Sequence, residues 1–270
     1  MAGTWYPGVA KDVVAEVEGY LGAADTPVPA GRLIGLISPH AGLRYSGPVA
    51  AYAYGLLRGK SGLSVVLVGP SHRHSFQGVA VWPRGVFETP LGTVPIDADL
   101  AAALMAASPE WVLEGPRPHQ EEHSLEMQLP FLQHLVGDLE IVPCLMGTQE
   151  RDEVEALSAA LVAAVKGAKR PVLLVASSDL SHYHRAPEAN RLDALVVDDV
   201  ERFDAERLMQ RLEADRGHAC GGGAMVAVMT AAKALGAGRS AILRYADSGD
   251  AGEHDKSRVV GYLAAALTAA

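Results

Sequence analysis

The chain has 270 residues, 49% hydrophobic and 20% charged, with 28 glycines and 16 prolines, a composition that excludes disordered and fibrous classes. Lys and Arg number 23 against 32 Asp and Glu, a net charge of −9, and no basic run is long enough to track a phosphate backbone, so nucleic acid is not an expected partner. Cys144 and Cys220 are too few for a disulfide framework and fit a reduced, cytoplasmic setting, while the first eight residues lack a basic apolar leader and no stretch offers the roughly 18 unbroken apolar residues of a membrane span.

In chain order, a helix is expected over residues 10–21 and a strand over 32–38. A helix follows over 46–58 and a second strand over 63–69, so 32–69 reads as one βαβ unit with its two strands as neighbours. The continuous apolar runs LSVVLVG and PVLLVAS (171–177) lack polar alternation, as befits central strands covered on both faces. An extended segment is expected at 79–82, and ETPLG (88–92) reads as a turn between paired extended segments. Helices follow at 97–107 and 122–135, the latter bent or ended early by Pro130. A strand at 139–145 and a helix at 150–165 precede the third long strand. Helices at 187–197, 205–214 and 223–235 come next, then strands at 241–245 and 259–265 and a fraying Ala-rich tail over 264–270. No repeat, low-complexity tract or linker interrupts the chain. It reads as one α/β domain, 1–270, with a mostly parallel central sheet flanked by helices.

In such sheets ligands sit beyond the carboxyl ends of the strands. His40 follows LIGLISP, His72 follows VVLVGPS, and Asp179 and His182 follow LLVASS. If the first two strands are neighbours, their ends lie about 4.8 Å apart, and imidazoles from both can reach one ion at about 2.1 Å each. His74 and His184 read as accessory or surface residues. Cys220, in HACGGGAM, precedes three glycines and a helix start, which lowers a thiol pKa and lets main chain approach a ligand. It is a soft third ligand, a nucleophile or a buried small hydrophobe; Cys144, in IVPCLM, is a core residue. His123 and Glu126 are three apart, on one helical face, and suit support of a metal or a proton transfer. Their neighbours Glu121 and Glu122 read as a solvated charge cluster. The stretch 245–262 reads as a polar loop between extended runs, with Asp247, Ser248 or Asp250 at a pocket rim.

WYPG at Trp5, SPHAGLRYSGPVAAYAY at Ser38, GPSHRH at Gly69, ETPLGTVPID at Glu88, EEHSLEMQLPFL at Glu121, SSDLSHYH at Ser177, CGGGAM at Cys220 and the final YADSGD and VVGY strings together resemble the Memo family, also called the AmmeMemoRadiSam system protein B group. The match spans nearly the whole chain. It implies a fold similar to class III extradiol dioxygenases, metal ligation at His40, His72 and Cys220, Asp179 and His182 lining the same pocket, and iron or copper as the metal. Through the family's eukaryotic member it also implies phosphopeptide binding or a copper-dependent redox role. A His/His/Cys set departs from the two-histidine, one-carboxylate site of those dioxygenases and favours Fe(II), Cu or Zn over Mg or Ca.

The expected function is therefore a metal-dependent oxidoreductase acting on a small substrate, with His182 as general acid/base, Asp179 orienting it, and His123 with Glu126 in support. The alternatives are a non-catalytic metal- or phosphopeptide-binding protein and a hydrolase built on Cys220, His182 and Asp179. Expected partners are a small molecule or a peptide, and a homo-oligomer is compatible with the sequence.

Overall fold

The computed structural model describes residues 1–251 and 255–269. Its centre is a nine-stranded mixed sheet in the order β10-β11-β1-β8-β2-β7-β3-β6, with β9 paired to β11. The strands are β1 (Leu33–Ser38), β2 (Ser64–Pro70), β3 (Val79–Val81), β6 (Val112–Glu114), β7 (Glu140–Met146), β8 (Val172–Ser177), β9 (Asp179–His184), β10 (Ala237–Asp247) and β11 (Val259–Ala269). Pairings β1·β8, β8·β2, β2·β7 and β3·β6 are parallel; those of β11 and the β3·β7 pair are antiparallel. The hairpin β4 (Val86–Thr89) and β5 (Gly92–Pro95) stands apart, turning at the predicted ETPLG.

Every residue of β2 is buried because alternate side chains enter two separate cores. Val65 and Leu67 face a layer with α1 (Ala10–Ala23), α2 (Leu43–Tyr54) and α4 (Leu129–Leu135), whereas Val66 and Val68 face α3 (Ala98–Ala107), α5 (Arg151–Lys166), α6 (Ala186–Glu201), α7 (Ala205–Ala214) and α8 (Gly222–Ala234). Helix α1 buries Val13, Val17 and Leu21 at four-residue spacing, one stripe against α2 and α4. Helix α8 has ten buried residues and almost no polar face, since α5, α7 and the sheet enclose it. Two aspartates start helices: Asp97 accepts from Leu100 N–H and Asp204 from Arg207 N–H. No helix among the described residues is long and apolar enough to cross a membrane.

Several expectations change. β8 lies between β1 and β2, so the βαβ unit skips a position and its strands are not neighbours. The segment expected to be helical from 122 is helical only over Leu129–Leu135 after a short 3-10 turn at Glu126–Gln128; Pro130 sits in the first turn, where its missing N–H is not needed, and so begins the helix instead of ending it. The Ala-rich tail belongs to a fully paired interior strand through Ala269, with Ala270 outside the described residues. SSDLSHYH forms a strand, β9, because β1 pairs with the far half of β11 and leaves the edge beyond it for β9 to occupy. The loop expected over 245–262 is described except at 252–254; β10 reaches Asp247, a 3-10 turn covers Ser248–Asp250, and β11 begins at Val259.

Candidate metal centre

The carboxyl ends of β1, β2 and β8 open into a cavity of about 670 Å³ lined by His40, His72, His123, Asp179, His182 and Cys220, with Trp5, Tyr45 and Ser248 among its other walls. His40 and His72 converge although β8 separates their strands, because both loops lean over the end of β8: the ring centroids are 5.2 Å apart, edge to face. His123 completes the group. One donor atom from each of His40, His72 and His123 lies within 4.8 Å of the others. His72 and His123 are stacked at 4.7 Å, and Trp5 stacks on the outer face of His123 at 4.0 Å. The tryptophan is carried there by the N-terminal segment, which is tied to the loop after β1 by the Leu43 N–H to Trp5 carbonyl bond.

Hydrogen bonds around the cluster determine which nitrogen of two of these imidazoles is free. Gln128 Oε1 accepts from Tyr54 Oη, which turns its NH₂ toward the Pro39 carbonyl at 3.1 Å and Ser177 Oγ at 2.8 Å, one N–H to each. Ser177 spends its single proton on the Ser124 carbonyl at 2.7 Å. Toward His40 Nδ1, 2.8 Å away, the hydroxyl can then only accept. His40 therefore carries its proton on Nδ1 and turns an unprotonated Nε2 toward the cavity. The same logic holds at His72, whose Nδ1 lies 2.9 Å from Glu122 Oε1. Burial alone would raise the Glu122 carboxyl, but hydrogen bonds from the His72 side chain and from backbone N–H groups outweigh it and hold it at about 2. An ionised carboxylate can only accept, so His72 keeps its proton on Nδ1 and its Nε2 lone pair is free for a metal.

Desolvation, aided by the neighbouring His72 and His123, pushes His40 well below the ordinary histidine value, and desolvation takes His123 to about 4. These rings are neutral at physiological pH, the state in which imidazole binds metals. His123 Nδ1 is buried and makes no hydrogen bond to a described residue, although Glu122 Oε1 is 3.2 Å away. Neutral, pre-oriented imidazoles and a buried nitrogen without a hydrogen bond fit a transition metal.

Cys220 borders this set. Its Sγ is 3.1 Å from His40 Nε2, but it is not within the compact trio of donor atoms. The glycines after it permit close packing against protein instead of a ligand: a Cβ on Gly221 would lie 2.2 Å from the Ser177 carbonyl, on Gly222 2.4 Å from Leu212, and on Gly223 2.7 Å from Gln149. Desolvation and the nearby Asp179 raise the Cys220 thiol far above its ordinary value, reversing the lowered pKa expected from the helix start. Cys144 is fully buried, as expected of a core residue.

Asp179 is buried, and desolvation lifts its carboxyl to about 7 against the N–H groups of His40 and Ala41, which donate to Oδ1 at 2.7 and 3.3 Å. It thus secures the backbone that carries His40. His182, half-buried on the cavity wall, is lowered by desolvation. Glu126 is placed elsewhere: it accepts from Tyr6 Oη at 2.7 Å and pairs with the Met1 amine at 3.1 Å, because His123 lies on irregular backbone before the 3-10 turn and the two share no helical face. Glu122, which its charged neighbourhood assigns to solvent, instead accepts from the N–H groups of His72, His123 and Ser124 as well as from His72 Nδ1. An acid directly preceding a histidine is the one local signal of that role; its burial leaves no mark in the pattern.

Fold and site define an α/β protein with a histidine cluster, suited to a metal ion, at the carboxyl end of its sheet. A family model for Memo-like proteins matches residues 1–266. A MEMO1 family protein of Thermotoga neapolitana is 36% identical over 99% of this chain and 98% of its own length. Another from Sulfolobus acidocaldarius is 38% identical, covering 84% of this chain and 80% of its own. The crystal structure of an uncharacterized protein from Escherichia coli K12 has a TM-score of 0.53 at 14% identity, covering 86% of this chain and 99% of that one, a likeness of fold alone. The chain belongs to the Memo family.

Proposed function

We propose that the protein is a metal-dependent oxidoreductase in which His40, His72 and His123 hold a transition metal, Fe(II) foremost with Cu or Zn as other occupants, beside a cavity that receives a small substrate. The locking of two proton positions by Ser177 and Glu122 carries the metal half of this reading, because an imidazole whose Nδ1 proton is committed has only Nε2 to offer a cation. Nitrogen donors beside a thiol favour borderline transition metals over Mg or Ca. Bound there, such an ion would supply Lewis acidity and, as iron or copper, a one-electron couple.

The chain's own groups do the rest. Cys220, next to His40 Nε2, is proposed as a further soft donor, its proton lost on ligation. His182 is the wall residue proposed to pass a proton to or from substrate, with Asp179 holding the His40 loop in register. A hydrolase on Cys220 fits less well: its sulfur faces His40, not His182, and desolvation keeps it a thiol.

Metal content of protein isolated without added metal, followed by anaerobic Fe(II), Cu(I) and Zn(II) titration after chelation, tests the site. One equivalent is expected, weakened at least about tenfold in His40→Ala, His72→Ala and His123→Ala. Co(II) substitution gives a sulfur-to-metal absorption band that disappears in Cys220→Ala if the thiolate ligates. Stoichiometric binding that survives all three histidine variants overturns the reading. Metal retention without O₂ consumption on any small chelating substrate reduces it to a binding protein.

A further inference from the structure

The wall of the cavity beside His182 contains a strained residue, Tyr183, and the positive charge of Arg258. Tyr183 lies between His182 and His184 in β9 with φ of 66°, a left-handed conformation that costs a bulky L-residue about 1 kcal/mol or more. The cause is a register shift: Val259 faces His184 and Val260 faces His182, so two steps of β9 oppose one of β11. This bulge places the intervening side chain outward, and Tyr183 is 62% exposed. Arg258, which precedes β11, lays its guanidinium over the Tyr183 ring at 4.5 Å. Arg258 and Tyr183 both line the metal cavity. Among the described residues lining that cavity Arg258 is the one Lys or Arg, and among the described residues it pairs with no carboxylate.

Resting on the proposed metal-dependent reading, we infer that Arg258, stacked on Tyr183, is the receptor for a substrate carboxylate, so that the substrate is a small organic acid held between this arginine and the histidine cluster. A guanidinium with one face on an aromatic ring keeps its N–H edges free, and those edges match a carboxylate bidentately. The ring fixes the plane of the guanidinium, so little freedom is lost when the acid docks. Asp255 lies on the same rim with its carboxylate accepting from Ser257 N–H at 2.8 Å, a negative charge near the guanidinium that favours the single charge of a carboxylate over the two of a phosphate. The strain at Tyr183 then has a use, since an unbulged β9 would alternate its side chains regularly and could not set His182 and the arginine platform on one cavity.

Calorimetric titration of the full chain, metal-free and Zn(II)-loaded, with benzoate, phenyl phosphate and benzyl alcohol tests the inference. Benzoate is expected to bind at least about tenfold more tightly than benzyl alcohol, and Arg258→Ala to abolish that preference. Arg258→Lys recovers it only in part, and Tyr183→Ala weakens it while Zn(II) affinity stays unchanged in all three variants. Benzoate binding no better than the neutral alcohol, or a preference that survives Arg258→Ala, overturns the inference. Tighter Arg258-dependent binding of phenyl phosphate overturns the choice of a monocarboxylate. If Zn(II) does not bind but the Arg258-dependent preference is present, the metal reading fails and the acid receptor stands; intact Zn(II) binding without the preference keeps the metal site and removes the acid receptor.

Discussion

Replacing Glu122 with Gln tests the site through stability and metal affinity together. The carboxylate is almost fully buried and accepts four hydrogen bonds from His72, His123 and Ser124. Moving a carboxyl from its ordinary 4.5 to about 2 on folding corresponds to about 3 kcal/mol, at about 1.4 kcal/mol for each tenfold change in proton affinity. Because the folded value is depressed, this stabilisation is fully present above pH 4.5 and is lost as the pH falls toward 2. Glu122→Gln is therefore expected to lower the stability of chelated protein by about 3 kcal/mol at pH 7, roughly 6–12 °C in Tm for a chain of this size. The difference from the parent chain should shrink between pH 4.5 and 2. Metal affinity should fall about 10–100-fold, since an amide can present its NH₂ to His72 Nδ1 and release the tautomer. Urea unfolding of both proteins at a series of pH values, with Zn(II) titration at pH 7, measures these effects. A stability difference independent of pH across that window would refute the assignment of an ionised, hydrogen-bonded carboxylate at the base of the cluster.

Asp179→Asn carries the opposite sign. A carboxyl raised from 3.8 to about 7 by desolvation favours folding below pH 3.8 and loses that advantage as the pH rises toward 7, a swing of about 4 kcal/mol. The asparagine variant of the chelated protein should therefore gain on the parent through that range, as urea unfolding from pH 4 to 8 would show. Gly221→Ala drives a Cβ to 2.2 Å from the Ser177 carbonyl; a loss of about 2–4 kcal/mol is expected, together with weaker Cys220-dependent Co(II) absorption as the sulfur is displaced. At Tyr183, Gly and Ala both remove the arginine platform but only Gly relieves the left-handed strain, so Tyr183→Gly should be more stable than Tyr183→Ala by about 1 kcal/mol in thermal or urea unfolding. Equal stabilities would mean that β9 has no bulge in solution.

Local pattern was enough for much of this molecule. Apolar runs without alternation mark β2 and β8 as interior strands, and one-sided stripes mark α1 and α7, because burial on one face or two writes its period directly into the chain. His40, His72, Asp179 and His182, which follow apolar runs, line one cavity, since strands of a parallel sheet release their following residues at one edge; Cys220, marked by its place before a helix, joins them there. Pairing order was not legible: nothing in β1 or β2 announces that β8 separates them, as hydrogen-bonded backbones carry no residue code. Nor was the central place of His123. Its helical spacing with Glu126 pointed to a partnership that the irregular backbone at His123 dissolves, and Glu122 looked solvated because charge clusters usually are. Its burial depends on Gly69, where a Cβ would strike Leu125 at 2.8 Å and hold the 122–128 segment off the sheet. Sequence thus determined which residues gather at the sheet's end; only the packed structure decided which nitrogen of His40 and of His72 is free, because proton positions depend on partners such as Ser177, Gln128 and Glu122 brought from distant parts of the chain.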